Sequence, residues 1–222
     1  MTKIYVPSSG PDGWKQFLAK PELHWATGYS ARTTAHAWEA AHGVPPEIQA
    51  IVEPHFGPSE LLLAIPEHKV SLPGGRRESQ CDVFALLRSP DQVIACAIEA
   101  KVDEPFGPTL SEWLQDASAG KRERLRYIQE VLGLPDSLDG NLRYQLLHRT
   151  ASAVVEANRF MTGAAAMIVH SFSPERRWFE DYEAFVQLFG ATSSPQSAIA
   201  DLPCGRKLLL GWASGDQAFR LL

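Results

Sequence analysis

Cysteine is scarce in this chain of 222 residues: Cys81, Cys96 and Cys204 are the whole supply, and no two form a CxxC pair. No disulfide framework is expected, and the three thiols read as buried and reduced in a cytoplasmic protein. No HxH or HxxxH spacing occurs, so His148 and His170 read as satisfied histidines rather than zinc ligands. No apolar run approaches the roughly 18 residues that a bilayer span requires. The opening MTKIYVPSSG lacks the apolar core of a signal peptide. Neither a membrane anchor nor secretion is expected. Internal repeats and low-complexity segments are also missing. Positive charge is not in excess: 21 Lys and Arg stand against 26 Asp and Glu, a net charge of -5. That argues against a protein that coats nucleic acid through overall charge. There is no GxSxG elbow, P-loop or GxGxxG fingerprint, and Gly74-Gly75 is too short to cradle phosphate and reads as a hairpin turn.

What is present suits one α/β domain with decorations. Apolar residues make up 45% and charged residues 21%, enough to bury a full core without disulfides or structural metals. Residues 1–29 are broken by Pro7, Gly10, Pro11, Gly13 and Pro21 and read as an irregular arm, pinned to the body by Trp14, Phe17, Leu18 and Trp25. A helix is predicted over 30–42, with Ser30 as its N-cap and Gly43, Pro45 and Pro46 as its stop. An apolar run follows at 60–65, a turn at 73–78, and two adjacent strands at 80–88 and 92–102. Helices are predicted over 121–132, 142–161 and 175–189, with strands at 164–172 and 207–213. That last strand either extends the sheet or pairs with a second chain at an edge. Strands that meander and then cross over helices imply a mixed central sheet flanked by helices.

The strand 92–102 is apolar until Glu99, Ala100 and Lys101. Residues two apart share a face of a strand, so Glu99 and Lys101 point the same way. A buried carboxylate is costly without a positive partner, which Lys101 or a divalent cation supplies. Asp82 interrupts the preceding apolar strand, and a short turn makes the two strands neighbours. Two carboxylates meeting at one point repel unless a cation bridges them. Hard oxygen ligands suit Mg²⁺ or Mn²⁺.

Asp82, sixteen intervening residues, and then Glu99-Ala100-Lys101 resemble the PD-(D/E)XK nuclease superfamily. The element order over residues 30–172 resembles its restriction endonuclease-like αβββαβ core. The stretches LPGG (72–75), SQCDVF (79–84), IEAKVDEPFG (98–107) and RYQLLHR (143–149) resemble an uncharacterised bacterial family within that superfamily. Cys81 stands where the superfamily has proline. The resemblance implies that Asp82, Glu99 and the backbone carbonyl of Ala100 hold Mg²⁺ or Mn²⁺ and that Lys101 positions the attacking water. It implies Glu39 as a further acidic ligand and Gln145 as a site-ordering residue. Arg149 lies one turn beyond Gln145, on the same helix face. Residues 173–222 add a helix and a strand to the same domain.

The expected function is metal-dependent hydrolysis of phosphodiester bonds in DNA, in defence, repair or restriction, with a homodimer as one arrangement. The competing expectation is an inactive nuclease-like fold that binds a protein or small ligand. Plainer readings stand beside each residue. Glu99 and Lys101 form an ion pair, Asp82 is a strand-edge charge, Glu39 is an exposed helix residue, and Gln145 and Arg149 are polar positions beside the stripe Leu146, Leu147, Ala151, Val154 and Val155. The positive concentrations Arg76–Arg77, Lys121–Arg126 and Arg143/Arg149 read as solvated faces.

Overall fold

The sheet explains why the chain folds as it does. In the computed structural model, which describes residues 8–190 and 196–222, six strands lie in the order β1-β2-β3-β4-β6-β5. Strands β1 (Glu60–Val70), β2 (Ser79–Arg88) and β3 (Val93–Lys101) form an antiparallel meander. Next to β3 lie β4 (Ala164–Ser171) and then β6 (Lys207–Ser214), both parallel, with β5 (Ser197–Asp201) antiparallel at the far edge. Every residue of β4 is buried. A parallel strand covered on both faces must be apolar throughout, as AAAMIV is.

Helices cover both faces. On one side α5 (Ala119–Leu132), α6 (Tyr144–Arg159) and α7 (Phe179–Gln187) pack on Phe84, Ala95, Ala97, Val169 and Trp212. On the other, α2 (Ser30–Ala41) and α3 (Pro46–Phe56) cover Val83, Cys96, Ile98 and Ile168 with Trp38, Ile48 and Val52. Large side chains such as Trp38, Phe84 and Trp212 are almost fully shielded, and each such burial contributes about 1.5–3 kcal/mol. The short helix α4 (Leu110–Leu114) begins with a complete capping box between Thr109 and Glu112. No helix among the described residues is long and apolar enough to cross a membrane.

Several expectations are corrected. The arm is less irregular than its prolines suggest: a 3-10 helix spans Pro11–Phe17 and a short helix, α1, spans Pro21–His24, while residues 1–7 lie outside the described residues. Pro46–Phe56 form a helix where none was expected, because Pro46 occupies its first turn, where no N–H is needed. The run 60–65 continues to Val70. Pro66 is tolerated because β1 is an edge strand. The last long strand, β6, is interior, and the short β5 forms the edge beside it. Cys204 is exposed. Arg124 is buried rather than solvated, donating to the carbonyls of Leu72, Pro73 and Gly75.

Candidate functional site

Strand register brings three carboxylates into one row. Pro66 pairs with Val83 and His68 with Cys81, so Glu67 stands across from Asp82. Val83 opposite Ile98 is the last pairing between β2 and β3, and one step beyond it Asp82 faces Glu99. Where that ladder ends, the Ala100 N–H donates instead to Asp82 Oδ2 at 2.6 Å. Glu67 adopts φ 53°, a left-handed backbone uncommon for a side chain with a Cβ. Its carboxylate accepts from Gln80 Nε2 at 2.6 Å.

The row opens into a cleft of about 750 Å³. Its floor is Glu67, Gln80, Asp82, Glu99 and Lys101, while α6 contributes Gln145 and Arg149. The loop 103–107 forms one wall and the arm from Leu18 to Tyr29 another.

The sequence expectations for Asp82, Glu99, Lys101, Gln145 and Arg149 converge here. Lys101 Nζ donates to Glu99 Oε1 at 2.5 Å and lies over the Phe106 ring, 5.2 Å from its centre. Arg149 Nε donates to Glu99 Oε2 at 2.5 Å, and its Nη1 donates to Ser79 Oγ at 3.1 Å. Gln145 Nε2 donates to Glu99 Oε1 at 2.7 Å, as the i, i+4 spacing on α6 allows. At Ala100 the structure shows the N–H against Asp82. Glu39 goes elsewhere: its Oε1 accepts from Trp14 Nε1 at 2.8 Å and Ser8 Oγ at 3.1 Å, so it ties the arm to α2 and does not line the cleft. Glu67 and Gln80 are the members that sequence reasoning missed. Extending strand alternation past Pro66 would have found Glu67.

Charge is unevenly compensated. Burial pushes the Glu99 carboxyl up, but Arg149 and Lys101 outweigh it and hold the group below its ordinary value. Both cleft cations are thereby committed to Glu99. Asp82 and Glu67 bond to neutral donors. Burial, and then the charge of Glu99, pushes Asp82 up to about 7. Burial, and then the charge of Asp82, pushes Glu67 up to about 8. His148, bonded to Ser79 Oγ at 2.8 Å, is held well below its ordinary value by burial and by Arg149, Arg124 and Lys101, and so stays neutral.

A divalent cation fits this arrangement. Two carboxyls with no cation of their own, Asp82 and Glu67, face one cleft, and the buried Gln145 Oε1 has no hydrogen-bond partner. Among the described residues no group of three His, Cys, Asp or Glu side chains forms a ready metal cage. An ion held by one or two carboxylates and by waters, as Mg²⁺ prefers, needs none.

Fold and site together define a mixed α/β protein whose six-stranded sheet opens at one end into a carboxylate-lined cleft. The chain belongs to the family described as Domain of unknown function (DUF6946), which it matches over residues 7–217. Comparison with curated proteins and with solved structures found no match.

Proposed function

We propose that the cleft is the active site of a divalent-metal-dependent phosphodiesterase acting on DNA, built on a restriction endonuclease-like core. Support for the core comes from the run of α2, the β1–β3 meander, α6 and the parallel β4, the element order expected from the αβββαβ resemblance. The observation that carries the activity is the charge imbalance. Asp82 and Glu67 share the cleft floor with Glu99, and the two cations there both pair with Glu99.

Asp82, Glu99 and the Ala100 carbonyl are the proposed ligands of Mg²⁺ or Mn²⁺, with Glu67 in reach of the same space. Such an ion polarises a phosphoryl oxygen and makes a water more acidic. Lys101, at the cleft floor, would position the attacking water and offset the negative charge that develops on the phosphate. Phe106 and Glu99 hold the Lys101 Nζ in place. Gln145 and Arg149 fix the Glu99 carboxylate, so its geometry is set before substrate arrives. The free, buried thiols of Cys81 and Cys96 support a cytoplasmic setting.

The test is hydrolysis of supercoiled, linear and single-stranded DNA with Mg²⁺ or Mn²⁺. Metal-dependent cutting is expected, falling on the order of 10²–10³-fold in Lys101→Ala. Intact DNA in every combination would end this reading. It would favour the second one, a nuclease-like binding module, which the capture of Glu99 by two cations supports.

A further inference from the structure

Two positive stretches far apart in the sequence meet outside the cleft. The loop 71–78 between β1 and β2 carries Arg76 and Arg77, and α5 carries Arg122 and Arg126. All four are exposed. Loop and helix touch backbone to backbone: a Cβ added to Gly74 would lie 2.2 Å from the Gly120 carbonyl oxygen and 2.5 Å from the Arg124 nitrogen. Arg124 locks the junction from inside, donating to the carbonyls of Leu72 at 2.9 Å, Pro73 at 3.0 Å and Gly75 at 3.2 Å.

The charge of Arg124 is therefore spent inward, while its neighbours face solvent. Arg122 and Arg126 are one turn apart on α5 and share a face. The side chains of the four exposed arginines make no ion pair or hydrogen bond with another described side chain, and only backbone bonds such as Arg122 N–H to the Ser118 carbonyl hold them locally. Glu78, Glu123 and, one turn beyond Arg126, Glu130 are the nearby exposed acids, and Glu78 accepts from Ser71 Oγ. The local balance is positive in a chain whose net charge is -5, so the patch is no by-product of composition. It also lies at the right end of the sheet. Glu67 and Gln80, which line the cleft, are the strand positions leading into and out of this loop.

We infer that the Arg76, Arg77, Arg122 and Arg126 surface is a docking face for nucleic-acid backbone, holding phosphates that flank the stretch entering the cleft. The inference rests on the phosphodiesterase reading for what enters the cleft. The surface is an open face spread over a loop and a helix, which suits an extended polyanion better than a single phosphate. Guanidinium groups bind phosphate oxygens in bidentate fashion. Such a face also supplies the positive charge that the acidic cleft lacks.

The test compares wild type with R76Q/R77Q/R122Q/R126Q, and with the loop-only R76Q/R77Q should the fourfold variant fail to fold. Binding of labelled duplex DNA is measured in EDTA across a salt series, and hydrolysis of bis(p-nitrophenyl) phosphate is measured with Mn²⁺. Wild type is expected to bind with a steep salt dependence, and each lost arginine should make the log–log slope shallower by roughly 0.9. Hydrolysis of the small diester should be unchanged by the substitutions. Equal slopes and affinities, or no DNA binding by wild type at low salt, overturn the inference. So does equal loss of binding to phosphatidylserine vesicles, which would make the face a membrane contact. If wild type leaves the small diester intact while the slopes differ, the activity reading fails and the docking face stands.

Discussion

Arg149, on α6, donates from Nε to the Oε2 of Glu99, on β3, at 2.5 Å, with side-chain exposures of only 10% and 3%. One interior ion pair thus joins the helix to the strand that carries the cleft. Removing Arg149 leaves the buried Glu99 carboxylate with Lys101 as its remaining cation and one oxygen without its donor. Arg149→Met should lower stability by less than the roughly 3–5 kcal/mol of a fully uncompensated buried charge, read from the urea midpoint. The double variant Glu99→Gln/Arg149→Met should recover part of that loss, because the Glu99 charge is gone and the Lys101 charge is left acting on Asp82. A single variant as stable as wild type would mean that Glu99 is protonated or otherwise satisfied.

The cleft carboxyls set a pH dependence whose sign is determined. Asp82 is raised from 3.8 to about 7 and Glu67 from 4.5 to about 8, and the two titrate as a pair. A carboxyl raised by folding stabilises the fold fully below its unfolded pKa. That contribution is lost as pH rises through the folded pKa. Without metal, Tm should fall as pH rises from about 4 towards 8. Asp82→Asn should flatten that fall, since Asn keeps an acceptor for the Ala100 N–H and removes the charge that raises Glu67. Added Mn²⁺ should raise Tm most at the upper end. A metal-free Tm that is flat over this window in wild type would contradict the charge imbalance.

Much of this site was legible because its parts lie on regular elements. Asp82 and Glu99 interrupt apolar strands joined by the short turn Ser89-Pro90-Asp91, and Gln145 and Arg149 are one helical turn apart. Glu67 was hidden because Pro66 reads as a strand end, and only the edge position of β1 makes a proline harmless there. The helix over 46–56 was hidden in the same way by Pro46 and Pro54. Glu39 misled because helix spacing cannot show which way a helix faces. It points to Trp14, a contact across twenty-five residues that no local pattern reveals.

That contact makes its own prediction. Glu39→Ala leaves the indole N–H of Trp14 without its acceptor, while the Ser8 hydroxyl keeps the Gly10 carbonyl. A lost acceptor of this kind costs about 1–3 kcal/mol. The stretch 8–29 should become the first site of limited proteolysis, while Mn²⁺ affinity stays as in wild type. Lost Mn²⁺ binding with an intact arm would instead place Glu39 in the site.

The most direct measurement is Mn²⁺ titration of the full chain, followed by electron paramagnetic resonance or calorimetry, in wild type, Asp82→Asn and Glu67→Gln. Saturable binding by wild type is expected, abolished by Asp82→Asn and weakened by Glu67→Gln, and stronger at pH 8 than at pH 6 because the ion competes with protons for these carboxyls. Binding that is absent from wild type, or unchanged in Asp82→Asn, would contradict a metal site in this cleft.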